Sequence, residues 1–266
     1  MPNRVITLLT DFGVADYFVG AMKGVILSRS PGSVLIDITH EIPAHDIQTA
    51  AFTLNAAYAW FPTGSIHLAI VDPGVGSDRR PILVEAGGHL FVGPDNGLFS
   101  LTLDQGSATQ ARHLTNSAYF LPKPSTTFHG RDIFAPVAAA LANGILPAEL
   151  GPVVDDPVRL ELARFESLAD GSLIGKILHI DHFGNCVTNL PSELFPATTE
   201  APPFVLEVKG HIIRTLASSY EEKAVRASRL FLIRGSAGYL EISLSSASAA
   251  RTFDLSVADV VRLVWL

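Results

Sequence analysis

The chain has 266 residues, with 19 Lys+Arg against 26 Asp+Glu for a formal net charge of −7, and only 17% of its residues are charged. That acidic balance excludes electrostatic wrapping of nucleic acid, which needs clustered Lys and Arg to displace counterions. The low charge content and the mean hydropathy of +0.32 instead point to an oligomer, with surface shared between subunits. The size admits one large domain or two smaller ones. A membrane is excluded as well: the longest uncharged stretch, residues 47–71, is interrupted by Gln48, Thr49, Asn55, Pro62, Gly64, Ser65 and His67, whereas a spanning helix needs about 20 predominantly apolar residues. The apolar run near the N-terminus ends at Asp11, too short for a signal peptide. Cys186 is the one cysteine and cannot form an internal disulfide, so the expected location is the cytoplasm.

The first two-thirds of the chain repeats a phrase of apolar strand, turn and helix. Residues 5–9 lead into Thr10-Asp11-Phe12-Gly13, after which Phe18, Ala21, Met22, Val25 and Ile26 fall on one helical face. Residues 34–38 lead into His40-Glu41-Ile42-Pro43 and a second helix with Ile47, Ala50, Ala51, Leu54 and Ala57 on one side. Residues 66–71 precede Asp72-Pro73-Gly74-Val75-Gly76, and residues 90–92 precede Gly93-Pro94-Asp95-Asn96-Gly97. A third helix is expected to begin near Asp132, carrying Ile133, Phe134, Val137, Ala138 and Leu141, with Asn143-Gly144 as its stop. Alternating strands and helices predict an α/β domain, residues 1–160, with a mostly parallel sheet. Beyond Asp155-Asp156 the texture changes: residues 175–180, 204–208, 230–233, 239–244 and 260–266 read as strands with no long helix between them. They predict an all-β, barrel-like domain over residues 172–266, joined by a linker at about 155–172.

In an open parallel sheet, ligands bind beyond the carboxyl ends of the strands, where Asp11, Asp72 and Asp95 all belong. Each also suits a turn, and turn chemistry alone would account for Asp95-Asn96-Gly97, but three acidic turns on one sheet edge are harder to dismiss. Other patterns fail. Gly74-Val75-Gly76 lacks the third glycine of a dinucleotide fingerprint, Arg79 standing there instead. His40-Glu41 and His45-Asp46 are spaced by five and do not share a helical face, so no metal site is expected. No nucleophile elbow occurs and Cys186 has no nucleophile's surroundings. What remains is Thr127-Phe128-His129-Gly130-Arg131-Asp132, a loop at a helix start, and a matching segment after a strand in the second domain, Asp181 to Asn189.

Taken in order, these turns, with Phe183-Gly184-Asn185 and Gly238-Tyr239-Leu240-Glu241-Ile242, resemble the S-adenosylmethionine (SAM) hydroxide adenosyltransferases, relatives of the SAM-dependent fluorinase and chlorinase, from about residue 5 to about residue 245. The resemblance implies hydrolysis of SAM to adenosine and L-methionine, with SAM as substrate, no cofactor, and a homotrimer whose site lies at the subunit interface. It places the water-activating residues on Asp72, Arg79 and His129, where halogenating relatives carry a tyrosine in place of Asp72 and another aromatic in place of His129. It further implies that Asp11 bonds the ribose hydroxyls; that Asp16, Asp181 and Ser236 hold the methionine end; that Asn185 reads adenine, with Phe183 and Tyr220 on its ring; and that His45 and Phe128 also contact substrate. Ala237 replaces an arginine that binds the methionine carboxylate in the fluorinase. Two other readings remain open: a halogenase making a 5′-halo-5′-deoxyadenosine, and a SAM or adenosine sensor.

Overall fold

The computed structural model describes residues 4–103, 109–162, 164–195, 202–221 and 230–266. The chain forms two compact units, Met1–Leu160 and Glu161–Leu266.

The first unit is built on a seven-stranded sheet. Its strands are β1 (Val5–Thr10), β2 (Val34–Thr39), β3 (Ile66–Ile70), β4 (Pro81–Ala86), β5 (His89–Pro94), β6 (Gln110–His113) and β7 (Val153–Val154), in the order β2-β1-β3-β5-β4-β6-β7. Pairings among β2, β1, β3 and β5 are parallel, and those of β4 with β5, β6 with β4 and β7 with β6 are antiparallel. The sheet is therefore mixed, parallel in one half only. The difference arises at Gly87-Gly88, both at positive φ, where a tight turn folds β4 back onto β5 without a helical crossover.

β1 and β3 are buried on both faces, which is why they read as near-continuous apolar runs. Their side chains alternate between two cores. Ile6, Leu8, Ile66 and Leu68 pack with Met22 and Ile26 of α1 (Phe18–Arg29) and with Val137 and Leu141 of a later helix, Ala135–Ala142. Leu9, Ala69 and Val71 pack on the other side with Ala50 and Leu54 of α2 (Ile47–Tyr58), and with Leu103 of the short α3 (Ser100–Leu103). α2 starts where Asp46 accepts a bond from the Thr49 amide at 2.9 Å. The third predicted helix begins earlier than expected, as a π-turn over Gly130–Phe134 that runs into α4 (Ala135–Ala142); Gly144, at φ +93°, lies just past its end.

At the amino ends of these strands a chain of neutral groups is sealed in the core. His67 Nδ1 lies 2.8 Å from Thr7 Oγ1, and His67 Nε2 lies 3.1 Å from His89 Nδ1. Burial, and then the His89 charge, push the His67 pKa down to about 3. The folded value lies below the unfolded one of about 6.5, so between the two the unfolded chain binds more protons. Stability is full above pH 6.5 and declines as the pH falls toward 3. The urea midpoint is expected to drop steadily below pH 6.5, and less steeply in His67→Gln; equal slopes would assign the acid sensitivity elsewhere.

The second unit is a single sheet. It contains β8 (Glu166–Ser167), β9 (Leu173–Ile180), β10 (Cys186–Pro191), β11 (Phe204–Val208), β12 (His211–Ile213), β13 (Leu216–Ala217), β14 (Phe231–Arg234), β15 (Tyr239–Ser243) and β16 (Val260–Trp265), with the short helix α5 (Ala249–Phe253). The order is β12-β11-β16-β9-β10-β15-β14-β13, with β8 on β9. Register shifts in β10 against both neighbours bend the sheet, which curls around Ile177, Leu190, Leu206, Ile242 and Leu263. The barrel-like expectation is corrected here to an open half-barrel: the terminal strands β12 and β13 have three and two residues and are not paired to each other among the described residues. Among those residues no helix is long and apolar enough to cross a membrane.

Candidate active site

In the first unit the chain leaves β1 toward β2 on one side and leaves β3 toward β5 on the other. The crevice beyond the carboxyl ends of β1 and β3 is therefore a topological switch point, and Asp11 and Asp72 are the acidic residues that follow those two strands.

Asp72 and Arg79 sit at either end of one loop, with side chains only 5% and 8% exposed. Arg79 Nε donates to Asp72 Oδ1 at 3.0 Å and Nη2 donates to Oδ2, a bidentate clasp that fixes the orientation of the carboxylate. The same Nη2 lies 3.0 Å from His129 Nδ1. A guanidinium can only donate, so Nδ1 is the acceptor and His129 is the neutral tautomer with its proton on Nε2. Burial, reinforced by the Arg79 charge, lowers the His129 pKa against the opposing pull of Asp72 and Asp132. The Arg79 guanidinium carbon lies 5.2 Å from the centre of the Phe134 ring, and its Nη1 is buried with no partner among the described residues. Such a donor is ordinarily completed by a ligand or a water.

Two backbone features bring these groups together. Gly76 has φ +78°, and a Cβ there would stand 2.3 Å from the Thr126 carbonyl oxygen, so its bare α-carbon lets the loop of Asp72 and Arg79 pack directly on the segment before His129. The π-turn then begins directly after His129, its N-cap residue, and widened turns of this kind are frequent at functional sites.

Asp11, 8% exposed in its side chain, accepts the His45 amide at 2.9 Å, and its Oδ2 lies 3.9 Å from His45 Nδ1. His45 is itself exposed and held at φ +68°. Asp16 stands exposed in the loop between β1 and α1. Phe128 is placed differently from a surface substrate contact: it is 6% exposed, edge-on to Phe12 and Phe18 at 6.0 and 5.1 Å.

The second-unit candidates, Asp181, Phe183, Asn185, Tyr220 and Ser236, all line one cavity of about 870 Å³. Asp181 Oδ1 accepts the Asn185 amide at 2.8 Å and its Oδ2 accepts Asn185 Nδ2 at 2.9 Å. That bond fixes which way the Asn185 side-chain amide is turned. Phe183 is 75% exposed at this cavity.

The sequence matches the two domains that define the SAM hydroxide adenosyltransferases, the N-terminal domain over residues 6–151 and the C-terminal domain over residues 175–262. The chain belongs to this family. It is 37% identical to the (R)-S-adenosyl-L-methionine hydrolase of Thermus thermophilus, over 98% of this chain and 100% of that one. It is 44% identical to the (R)-S-adenosyl-L-methionine hydrolase of Salinispora tropica, over 69% and 71% of the two chains. The crystal structure of an uncharacterized conserved protein from Thermotoga maritima superposes with a TM-score of 0.86 at 30% identity, covering 97% of this chain and 100% of that one.

In this SAM hydroxide adenosyltransferase the cavity is also lined by a carboxylate that the sequence offered only within a motif and not as a site residue. Glu241 lines it at 9% exposure, with the Tyr220 hydroxyl 3.4 Å from Oε2; burial and then the Asp181 charge raise its pKa. The signal was strand alternation, since Leu240 and Ile242 face the core and leave Glu241 on the opposite face. The third acidic turn is spent on structure: Asp95 is held by Arg80 at 2.8 Å and accepts the Val158 amide at 2.8 Å. Among the described residues, no group of three or more His, Cys, Asp or Glu side chains could hold a metal ion.

Proposed function

We propose that the chain hydrolyses SAM to adenosine and L-methionine. The observation that carries this reading is the single guanidinium of Arg79 clasping Asp72 and His129 together at the switch point. In the reaction, a water oxygen bonds to ribose C5′ as the C5′–S bond breaks, and the bonding pair goes to sulfur, turning the sulfonium into neutral methionine. The leaving group needs no proton, so the residues have only the nucleophile to prepare. Bulk water has a pKa of 15.7, and a positioned base contributes about 10²–10⁴-fold; in-line placement at about 3–3.5 Å supplies more. His129 Nδ1 is occupied by Arg79, so Asp72, whose oxygens each keep a further lone pair, accepts the water proton and passes it to solvent. His129 offers its Nε2 hydrogen to orient the water.

The first unit carries this chemistry and the ribose contact at Asp11, with Asp16, His45 and Phe128 alongside. The second unit carries adenine and methionine contacts through Asp181, Phe183, Asn185, Tyr220 and Ser236. We place the working site between subunits of a homotrimer. The low charge content and the exposed Val14, Tyr17 and Phe183 support such an assembly, and sedimentation equilibrium tests it. A buried, unpaired Cys186 suits the cytoplasm.

The deciding experiment is incubation with SAM at saturating chloride and without it. Adenosine and methionine in both arms support the hydrolase. A chloride-dependent 5′-chloro product would replace it with a halogenase, and bound but unconverted SAM with a sensor. Gly76→Ala is expected to drive the Arg79 loop off residue 126, lowering stability by ~1–3 kcal/mol and kcat with it; a wild-type melting temperature and kcat would show that the contact does not matter. The acid limb of kcat is expected below pH 6.5, because the His129 pKa is lowered and its protonation sets a second cation against Arg79. An acid limb above 6.5 would contradict a neutral His129.

A further inference from the structure

His40 lies outside the reacting groups, yet it is 4% exposed and tied into the turn that carries Asp11. Its Nδ1 is 2.8 Å from Thr10 Oγ1. Its Nε2 lies 3.1 Å from Asp37 Oδ1, off the line of an ideal hydrogen bond. Asp37 Oδ2 in turn accepts Lys23 Nζ of α1 at 2.6 Å. Burial works against the charge on Asp37, but Lys23 and His40 outweigh it and lower its pKa.

In the neutral imidazole with its hydrogen on the Nε2 that faces the carboxylate, Nδ1 is an acceptor. The Thr10 hydroxyl therefore donates to His40, and its own lone pair accepts the Phe12 amide at 3.2 Å. The His40 carbonyl accepts the Gly13 amide at 2.8 Å, and the His45 amide donates to Asp11 Oδ2 at 2.9 Å. Residues 10–13 and 40–45 are thus laced together on both sides of Asp11. Thr10 is fully buried, which leaves it no role as a nucleophile.

We infer that His40 is a positioning residue for Asp11, using the Thr10 hydroxyl to set the turn from which Asp11 reaches the ribose hydroxyls. This rests on the proposed ribose role of Asp11. The test is calorimetric binding of adenosine, 2′-deoxyadenosine and 3′-deoxyadenosine, which needs no turnover. Wild type is expected to prefer adenosine, and Asp11→Asn to lose that preference. His40→Leu and the near-isosteric Thr10→Val should each cut the preference about tenfold, with binding of the deoxynucleosides little changed. His40→Asn, which returns an acceptor at the Nδ1 position, should recover part of it. If Asp11→Asn abolishes the preference while Thr10→Val and His40→Leu keep it, or lose affinity for all three nucleosides alike, the positioning role is overturned. If wild type has no preference, the ribose reading of Asp11 falls, and the inference with it.

Discussion

Asp72→Asn and His129→Ala are each expected to lower turnover of SAM by about 10²–10⁴-fold while its dissociation constant stays within a few-fold. The asparagine keeps the volume of the carboxylate but cannot take the water proton, and its amide hydrogens oppose those of Arg79. His129→Ala removes the Nε2 donor and leaves the Nη2 hydrogen that met Nδ1 without an acceptor. Both residues would act on the nucleophile alone, so affinity, carried by the remainder of the site, should persist. Single-turnover kinetics with an independent binding measurement separates the two quantities. Retained turnover in both variants would remove the water-activating assignment; a parallel collapse of affinity would make these residues binding groups.

Arg79→Met should be the most destabilising substitution in the site. It strands the Asp72 carboxylate, 5% exposed, without its partner, and breaking a buried pair from one side costs about 3–5 kcal/mol. Adding Asp72→Asn removes the stranded charge and should restore much of the urea midpoint without restoring turnover. The double variant therefore separates the structural role of the pair from its chemical one. A single Arg79→Met variant as stable as wild type would mean that Asp72 is well solvated once Arg79 is gone.

The His129 prediction depends on a contact with Arg79, fifty positions away, and that separation marks the boundary of what could be read directly. Strands β1 and β3 were legible because both faces are buried, so hardly a polar residue interrupts them. α2 was legible from its apolar stripe, and the carboxyl-edge placement of Asp11, Asp72 and Asp95 from the apolar runs they follow. β4 went unread: its apolar core is short, it opens on Pro81, and it is a strand only because the Gly87-Gly88 turn sets it against β5. The half-barrel could not be told from a closed one, because closure depends on whether β12 and β13 meet, which local alternation does not encode.

The sequence by itself determined the two textures of the chain, the acidic sheet edge and the ordered motifs that carry its family. Only the tertiary structure decided that one guanidinium holds both Asp72 and His129, which tautomer His129 adopts, and that Asp95 is spent on anchoring residues near 158. Chain periodicity records which face of an element is apolar. The partner of a buried charge is set by where separate elements meet in space, through a close approach such as that of Gly76 to residue 126.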